Sequence, residues 1–340
     1  MPVRDPRRVV AATETWFAAH QRLLPWRRNY DPYHVWVSEV MLQQTRMEVV
    51  LRYHEAFIER FPDVASLAKA SDDAVLSLWS GLGYYRRARM LRDGARYVLA
   101  RHKGVVPHDV GELSQIPGIG RYTAGAISSI AYGHRAPIVD GNIARILSRL
   151  AGIDEPLASP ALMRAAWREA ENLVEASRSP RDFNQGLMEI GALICTPRKP
   201  DCTSCPVRRY CFAYAHKRTE SLPRKKIKAE TRDMNVALYI VSDRRGRILM
   251  RRESGALMTA MLHLPHGDTS LLSGAPLRVT ASQLLATFRH SITTWRVFFS
   301  VYKGELAGSI HDDGEYEWID PDQLSNVPHP SYVAKALALM

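Results

Sequence analysis

Four cysteines are the whole cysteine content of this 340-residue chain, and all of them lie between residues 195 and 211. Their order is Cys195-x6-Cys202-x2-Cys205-x5-Cys211. A disulfide framework spreads its cysteines to tie distant segments together. Four thiols in one short loop suit a single metal centre in a reducing compartment. Zinc is usually held by two short-spaced pairs, and here only Cys202 and Cys205 form one. The longer outer spans suit a cube-shaped iron–sulfur cluster, which takes four thiolates; structural zinc stays open as the other reading of the spacing. The first span also carries Arg198 and Lys199, charges that a small braced loop can present to a phosphate or simply use to stay soluble. A second motif is Pro117-Gly118-Ile119-Gly120. Gly118 and Gly120 permit positive φ and close approach of a ligand to the backbone. The helix that follows would offer free N–H groups and its positive end to an anion. An ordinary turn between two helices is the plainer reading.

These groups need elements to hold them. Apolar residues recur every three or four positions in the stretch from Val35 to Phe61, and the same helical spacing returns up to about residue 216. Pro62, Gly81, Gly104, Pro107 and Gly133 separate the helices. Residues 217–232 are basic, lack a hydrophobic face and read as a linker. From Asn235 the period drops to two, with a strand, a turn at Gly246 and another strand. Residues 233–340 are therefore expected to form an α+β domain after a mainly α domain over residues 1–216. Lys and Arg number 46 against 35 Asp and Glu, a formal charge of +11 that attracts polyanions. No apolar run approaches the ~18 residues of a membrane helix, and no signal peptide is read at the start. A cytoplasmic protein with no membrane association is expected.

Three motifs carry a family resemblance. Leu24-Pro-Trp-Arg27, followed by Trp36-Val-Ser-Glu-Val-Met-Leu-Gln-Gln-Thr45, closely resembles the MutY-type adenine DNA glycosylases of the endonuclease III and helix–hairpin–helix superfamily. The Gly118 and Gly120 turn resembles that superfamily's hairpin, which grips a DNA phosphate without reading sequence. The cysteine spacing resembles its iron–sulfur loop, in 195–211. The resemblance is dense over about residues 20–215. It implies one [4Fe-4S] cluster on Cys195, Cys202, Cys205 and Cys211, and a monomer acting on double-stranded DNA in the bacterial cytoplasm, associated with the nucleoid.

The resemblance also assigns roles. Glu39 is the family's acid, and Asp140, twenty residues beyond Gly120, is the carboxylate beneath the sugar. Tyr122 and Asn142 orient the Asp140 side, while Trp26 and Arg27 help line the adenine pocket. Gln43 lies one turn after Glu39. Gln44 and Tyr84 are candidates to fill the stack that a flipped base vacates. Bifunctional relatives carry a lysine at the position of Tyr122, and no lysine occurs between Gly104 and Lys199. Hydrolysis without a Schiff base is therefore expected. Two carboxyls held in opposite protonation states is the general logic of glycoside cleavage.

Residues 233–340 resemble the Nudix-like domain of the same proteins, with Leu264-Pro-His-Gly267 as its entry. The acidic Nudix box is missing, since 268–279 contain no Glu and a single Asp. That domain is expected to read an oxidised guanine opposite the adenine, through Phe288-Arg-His290 and Thr293, where the family has Ser. The substrate implied is adenine mispaired with 8-oxoguanine or guanine. Two rivals remain: a mismatch-specific thymine glycosylase of the same superfamily, and a non-catalytic DNA-binding iron–sulfur protein.

Overall fold

The computed structural model describes residues 2–225, 231–253, 261–267, 279–292, 294–306 and 316–339. The chain begins with α1 (Pro6–His20), α2 (Pro32–Leu42), α3 (Met47–Arg60) and α4 (Val64–Lys69). Next come α5 (Asp72–Leu78), α6 (Arg86–His102), α7 (Val110–Gln115) and α8 (Arg121–Ala126). Helices α9 (Gly141–Ala151), α10 (Pro160–Glu175), α11 (Pro180–Glu189) and the short α12 (Phe212–Ala215) follow. The mainly helical first part expected from the periodicity is therefore present. Contacts divide the chain into two compact units: Met1–Lys69 with Met90–Lys228, and Ala70–Arg89 with Ala229–Met340. Among the described residues no helix is long and apolar enough to cross a membrane.

Local chemistry sets the helices that matter most. Pro32 opens α2 with a preset φ, and the Asp31 carboxylate accepts from the N–H groups of Tyr33 and His34 at 2.9 and 3.0 Å. The body of α2 is almost wholly buried, including Trp36, Val40 and Met41. A polar side chain on such a helix has no water to solvate it. Helix α9 is capped by Asp140, whose Oδ1 accepts from the Ile143 N–H at 2.7 Å, and it ends at Gly152 in the left-handed region. Helix α11 packs against α1 at Gly186, where an added Cβ would stand 2.7 Å from Thr13 Cγ2. Beyond Glu189 the helix widens into a π turn, Ile190–Ile194, which delivers the chain to Cys195.

The second unit holds the α5 segment and two three-stranded sheets. The strands are β1 (Arg232–Ile240), β2 (Ile248–Arg252), β3 (Leu262–His263), β4 (Val279–Ile292), β5 (Trp295–Leu306) and β6 (Tyr316–Ile319). One sheet runs β1-β5-β4, with β1 parallel to β5 and β4 antiparallel to it; the other runs β3-β2-β6 and is antiparallel. Inward residues alternate along β1 (Val236, Leu238, Ile240) and β5 (Val297, Phe299, Val301). They share one core with Tyr332 and Val333 of the last helix, α13 (Ser331–Leu337). Val279–Ile292 and Trp295–Leu306 form a pair of long antiparallel strands. The α+β character of the C-terminal part is thus present.

Candidate active site

Glu39 leaves the buried side of α2 at 3% exposure and lines a cleft of about 880 Å³. Burial pushes its carboxyl up to about 7, and the charge of Asp140 adds to the rise. A hydrogen bond from the Tyr122 hydroxyl and the charge of Arg27 pull the other way. Near neutral pH this carboxyl is therefore divided between its protonated and ionised forms. Burial beside Glu39 and Asp140 raises the Tyr122 phenol well above its ordinary value, so it stays neutral and donates.

Asp140 lines the same cleft while it caps α9. Burial raises its carboxyl, but the backbone N–H groups of Ile143 and Asn142 and the charge of Arg145 favour the anion. The cap and the site are one residue: the N–H bonds that start the helix also steady a carboxylate. Asn142 completes this corner, its Oδ1 accepting from Arg145 Nη1 at 3.0 Å. Arg145 reaches on to the carbonyls of Gly191 and Cys195, each at 2.8 Å.

The hairpin forms the adjoining wall. Gly118 has φ of +85°, and an added Cβ would stand 2.8 Å from Met90 Cβ, so a side chain is excluded twice over. Gly120 has extended backbone, borders the cleft and precedes α8. Gln43 and Gln44 lie on the rim; Gln43 Nε2 donates to Thr123 Oγ1 at 3.4 Å, and Gln44 holds a left-handed φ of 58°.

The opposite wall holds groups that sequence reasoning missed. Glu189, 1% exposed, accepts from Arg27 Nη1 at 2.7 Å and from Arg22 Nε at 2.8 Å. Arg27 Nε donates to Gln185 Oε1 at 2.7 Å. A signal did exist: Gln185 and Glu189 stand four apart on α11, and so share a face. Trp26, expected at the pocket, is instead buried edge-on to His54 and is not among the cleft's lining residues.

Other expected residues lie elsewhere. Tyr84 belongs to the second unit, is 51% exposed with a φ of 50°, and carries Arg87 5.5 Å from its ring. Core packing is not its role. Arg198 and Lys199 are exposed in the cysteine loop. His290 is half-buried on β4, edge-on to Tyr332 at 5.9 Å. Thr293 lies outside the described residues.

The four cysteines stay unpaired by disulfides and partly buried. Burial raises the thiols of Cys202, Cys205 and Cys211, that of Cys205 to about 12, and the charges of neighbouring cysteines add to each rise. Arg149 Nη1 lies 3.2 Å from Cys195 Sγ and donates to the Thr196 carbonyl at 2.8 Å.

A glutamic acid poised near neutrality, a neutral tyrosine and a helix-capping aspartate thus meet beside a glycine hairpin. Residues 37–171 match the HhH-GPD superfamily of base excision DNA repair proteins. The chain belongs to the HhH-GPD superfamily. Within it, the chain is 44% identical over 217 residues to the adenine DNA glycosylase of Homo sapiens, covering 61% of this chain and 40% of that one. It is 41% identical over 218 residues to that of Buchnera aphidicola subsp. Acyrthosiphon pisum, covering 64% and 62%. The chain thus spans about two fifths to three fifths of the length of these relatives. Among solved structures, a thermostable thymine-DNA glycosylase aligns with a TM-score of 0.55 and 30% identity, over 62% of this chain and 97% of that one. A trapped endonuclease III–DNA intermediate aligns with a TM-score of 0.52 at 21% identity, over 62% and 96%, and shares the superfamily fold.

Proposed function

We propose that this chain is a monofunctional adenine DNA glycosylase of MutY type. It would excise adenine opposite 8-oxoguanine or guanine in double-stranded DNA and so initiate base excision repair. The observation that carries the reading is the buried Glu39 carboxyl, poised at about 7 beside Asp140 and Tyr122. Adenine leaves poorly as an anion. Glu39 donates its proton to a ring nitrogen of the flipped base, and the C1′–N9 electron pair departs with the neutral base. The oxocarbenium-like sugar left behind is stabilised by Asp140, and water completes the hydrolysis. Tyr122 stands where an amine nucleophile would be needed for a Schiff base, and no lysine lines the cleft. On the far wall, the Glu189 carboxylate, aligned by Arg22 and Arg27, suits the exocyclic amine of adenine, which thymine lacks. The adenine relatives are also more similar, at 44% and 41% identity against 30% for the thymine-DNA glycosylase.

Cys195, Cys202, Cys205 and Cys211 would hold one [4Fe-4S] cluster. The raised thiols would lose their protons on binding. The cluster braces the loop that carries Arg198 and Lys199, and no redox step is needed from it. Purified protein should carry about four iron atoms per chain. The C-terminal unit is read as a Nudix-like domain that binds the oxidised base and hydrolyses nothing, with the chain acting as a monomer in the cytoplasm. Single-turnover excision on 8-oxoguanine·A, G·A and G·T duplexes tests the proposal. Product from the two adenine duplexes supports it; product from G·T alone favours the thymine reading, and none from any favours a binding protein.

A further inference from the structure

We propose that Glu253, His263 and His266 form a site for one divalent transition-metal ion, zinc first, inside the C-terminal unit. All three side chains are buried, at 3%, 1% and 5% exposure. Their ligand atoms lie within 4.8 Å of one another, a trio not matched by any other His, Cys, Asp or Glu set among the described residues. His266 Nε2 stands 3.6 Å from Glu253 Oε2. Two ligands ~2.1 Å from a tetrahedral ion are ~3.4 Å apart, so this edge is already near its metal-bound length.

The ring nitrogens are oriented for the task. His266 Nδ1 lies 2.9 Å from the Gly267 carbonyl oxygen. A carbonyl only accepts, so Nδ1 carries the hydrogen, and Nε2 is the nitrogen that faces Glu253. At 3.6 Å, Nε2 and the carboxylate oxygen have room for a shared cation between them, a proton or a metal ion. His263 Nδ1 meets the Tyr332 hydroxyl at 2.5 Å, which leaves Nε2 as its ligand nitrogen. A partner on the second nitrogen of each histidine is the usual outer-shell arrangement of a metal site.

The backbone holds the three groups from separate strands. Glu253 follows β2, and its N–H donates to the Met261 carbonyl at 2.8 Å. His263 sits in β3 opposite Arg251, and His266 bridges to Leu238 of β1. The sequence Glu253-x9-His263-x2-His266 therefore converges through strand pairing. Two imidazoles and one carboxylate suit zinc and neighbouring divalent ions rather than calcium or magnesium. An ion there would tie β1, β2 and β3 together and, through Tyr332, α13.

The test uses the full chain with its cysteine loop intact. The protein is exposed to zinc chloride, passed over a weak chelator, and analysed for zinc and iron, with X-ray absorption at the zinc edge. The expected result is one retained zinc per chain, with nitrogen and oxygen neighbours at ~2.0–2.1 Å. Glu253→Gln and His266→Gln should each lose that zinc with iron unchanged. Sulfur neighbours at ~2.3 Å, equal retention by the variants, or no retained zinc in the wild type would each overturn the proposal. The absorption spectrum of the wild type decides the matter even if a variant fails to fold.

Discussion

Two buried glutamates face the same cleft from opposite walls, and their surroundings differ in kind. Glu189 on α11 is met by two guanidinium groups, at 2.7 and 2.8 Å. Glu39 on α2 has a tyrosine hydroxyl and an aspartate for neighbours, with Arg27 acting only at longer range, and burial lifts it to about 7. Burial is nearly equal, at 1% and 3%, so burial alone does not assign a role. The cations do. A carboxylate held between arginines is a fixed acceptor; one denied a cation keeps a proton to give away.

The largest expected effect breaks the donor side. Glu39→Gln should bind substrate duplex normally but lose excision by about 10²–10⁴-fold, or ~3–5 kcal/mol, because an amide has no acidic proton to deliver. Single-turnover excision near the wild-type rate would remove Glu39 from the acid role. The same comparison predicts a stability effect of opposite sign. A carboxyl raised from 4.5 to about 7 contributes stability that is full below the unfolded value and lost as pH rises through about 7. That loss is on the order of 3 kcal/mol. Glu39→Gln should therefore unfold at a higher Tm than wild type at pH 9 and lose this advantage at pH 4. A variant less stable than wild type at pH 9 would show that Glu39 is stabilised as an anion.

Much of the donor wall was legible in the sequence, and the acceptor wall was not. Glu39, Gln43 and Gln44 sit in one short motif, on α2 and in the turn that follows it, and Asp140 follows the hairpin at a fixed offset. Local spacing therefore carried them. Arg22 and Arg27 meet Glu189 across 167 and 162 residues, a pairing that no local pattern encodes. Trp26 erred the other way: it neighbours Arg27 in sequence, but the short helical turn Pro25–Arg27 points the indole to His54 and the guanidinium to the cleft. Long-range pairing also explains why residues 70–89 group with the C-terminal unit. Asp73 lies 3.2 Å from Arg252, and the Tyr85 hydroxyl donates to the His329 carbonyl at 3.2 Å. The parallel union of β1 with β5 was hidden for the same reason, whereas the alternation within each strand was plain.

On the acceptor wall, Glu189→Gln sharpens the contrast. Glutamine keeps one carbonyl oxygen for one guanidinium and leaves the other without its carboxylate. The expected cost is about 2 kcal/mol, the scale of a lost hydrogen bond to a charged group. It should appear as a lower Tm at pH 7, with a raised KM for adenine-containing duplex. A pH-dependent stability gain like that of Glu39→Gln would mean that the two walls are electrostatically alike, and the contrast would fail.

The smallest effect tests how finely the donor is set. The Tyr122 hydroxyl hydrogen-bonds the Glu39 carboxyl and holds it below the value that burial alone would give. Tyr122→Phe removes that bond while keeping the ring that fills the wall. The anionic form of Glu39 then loses its donor, so the carboxyl should titrate higher still. A hydrogen bond of ~1 kcal/mol corresponds to less than one pH unit. The alkaline limb of the excision-rate profile should move up by that amount, so that the variant keeps more of its maximal rate at pH 8 than wild type does. Its maximal rate should fall several-fold, since the tyrosine also orients the proton toward the base. An alkaline limb that moves down would show that Tyr122 favours the protonated acid instead, and that burial and Asp140 alone set the poise of Glu39.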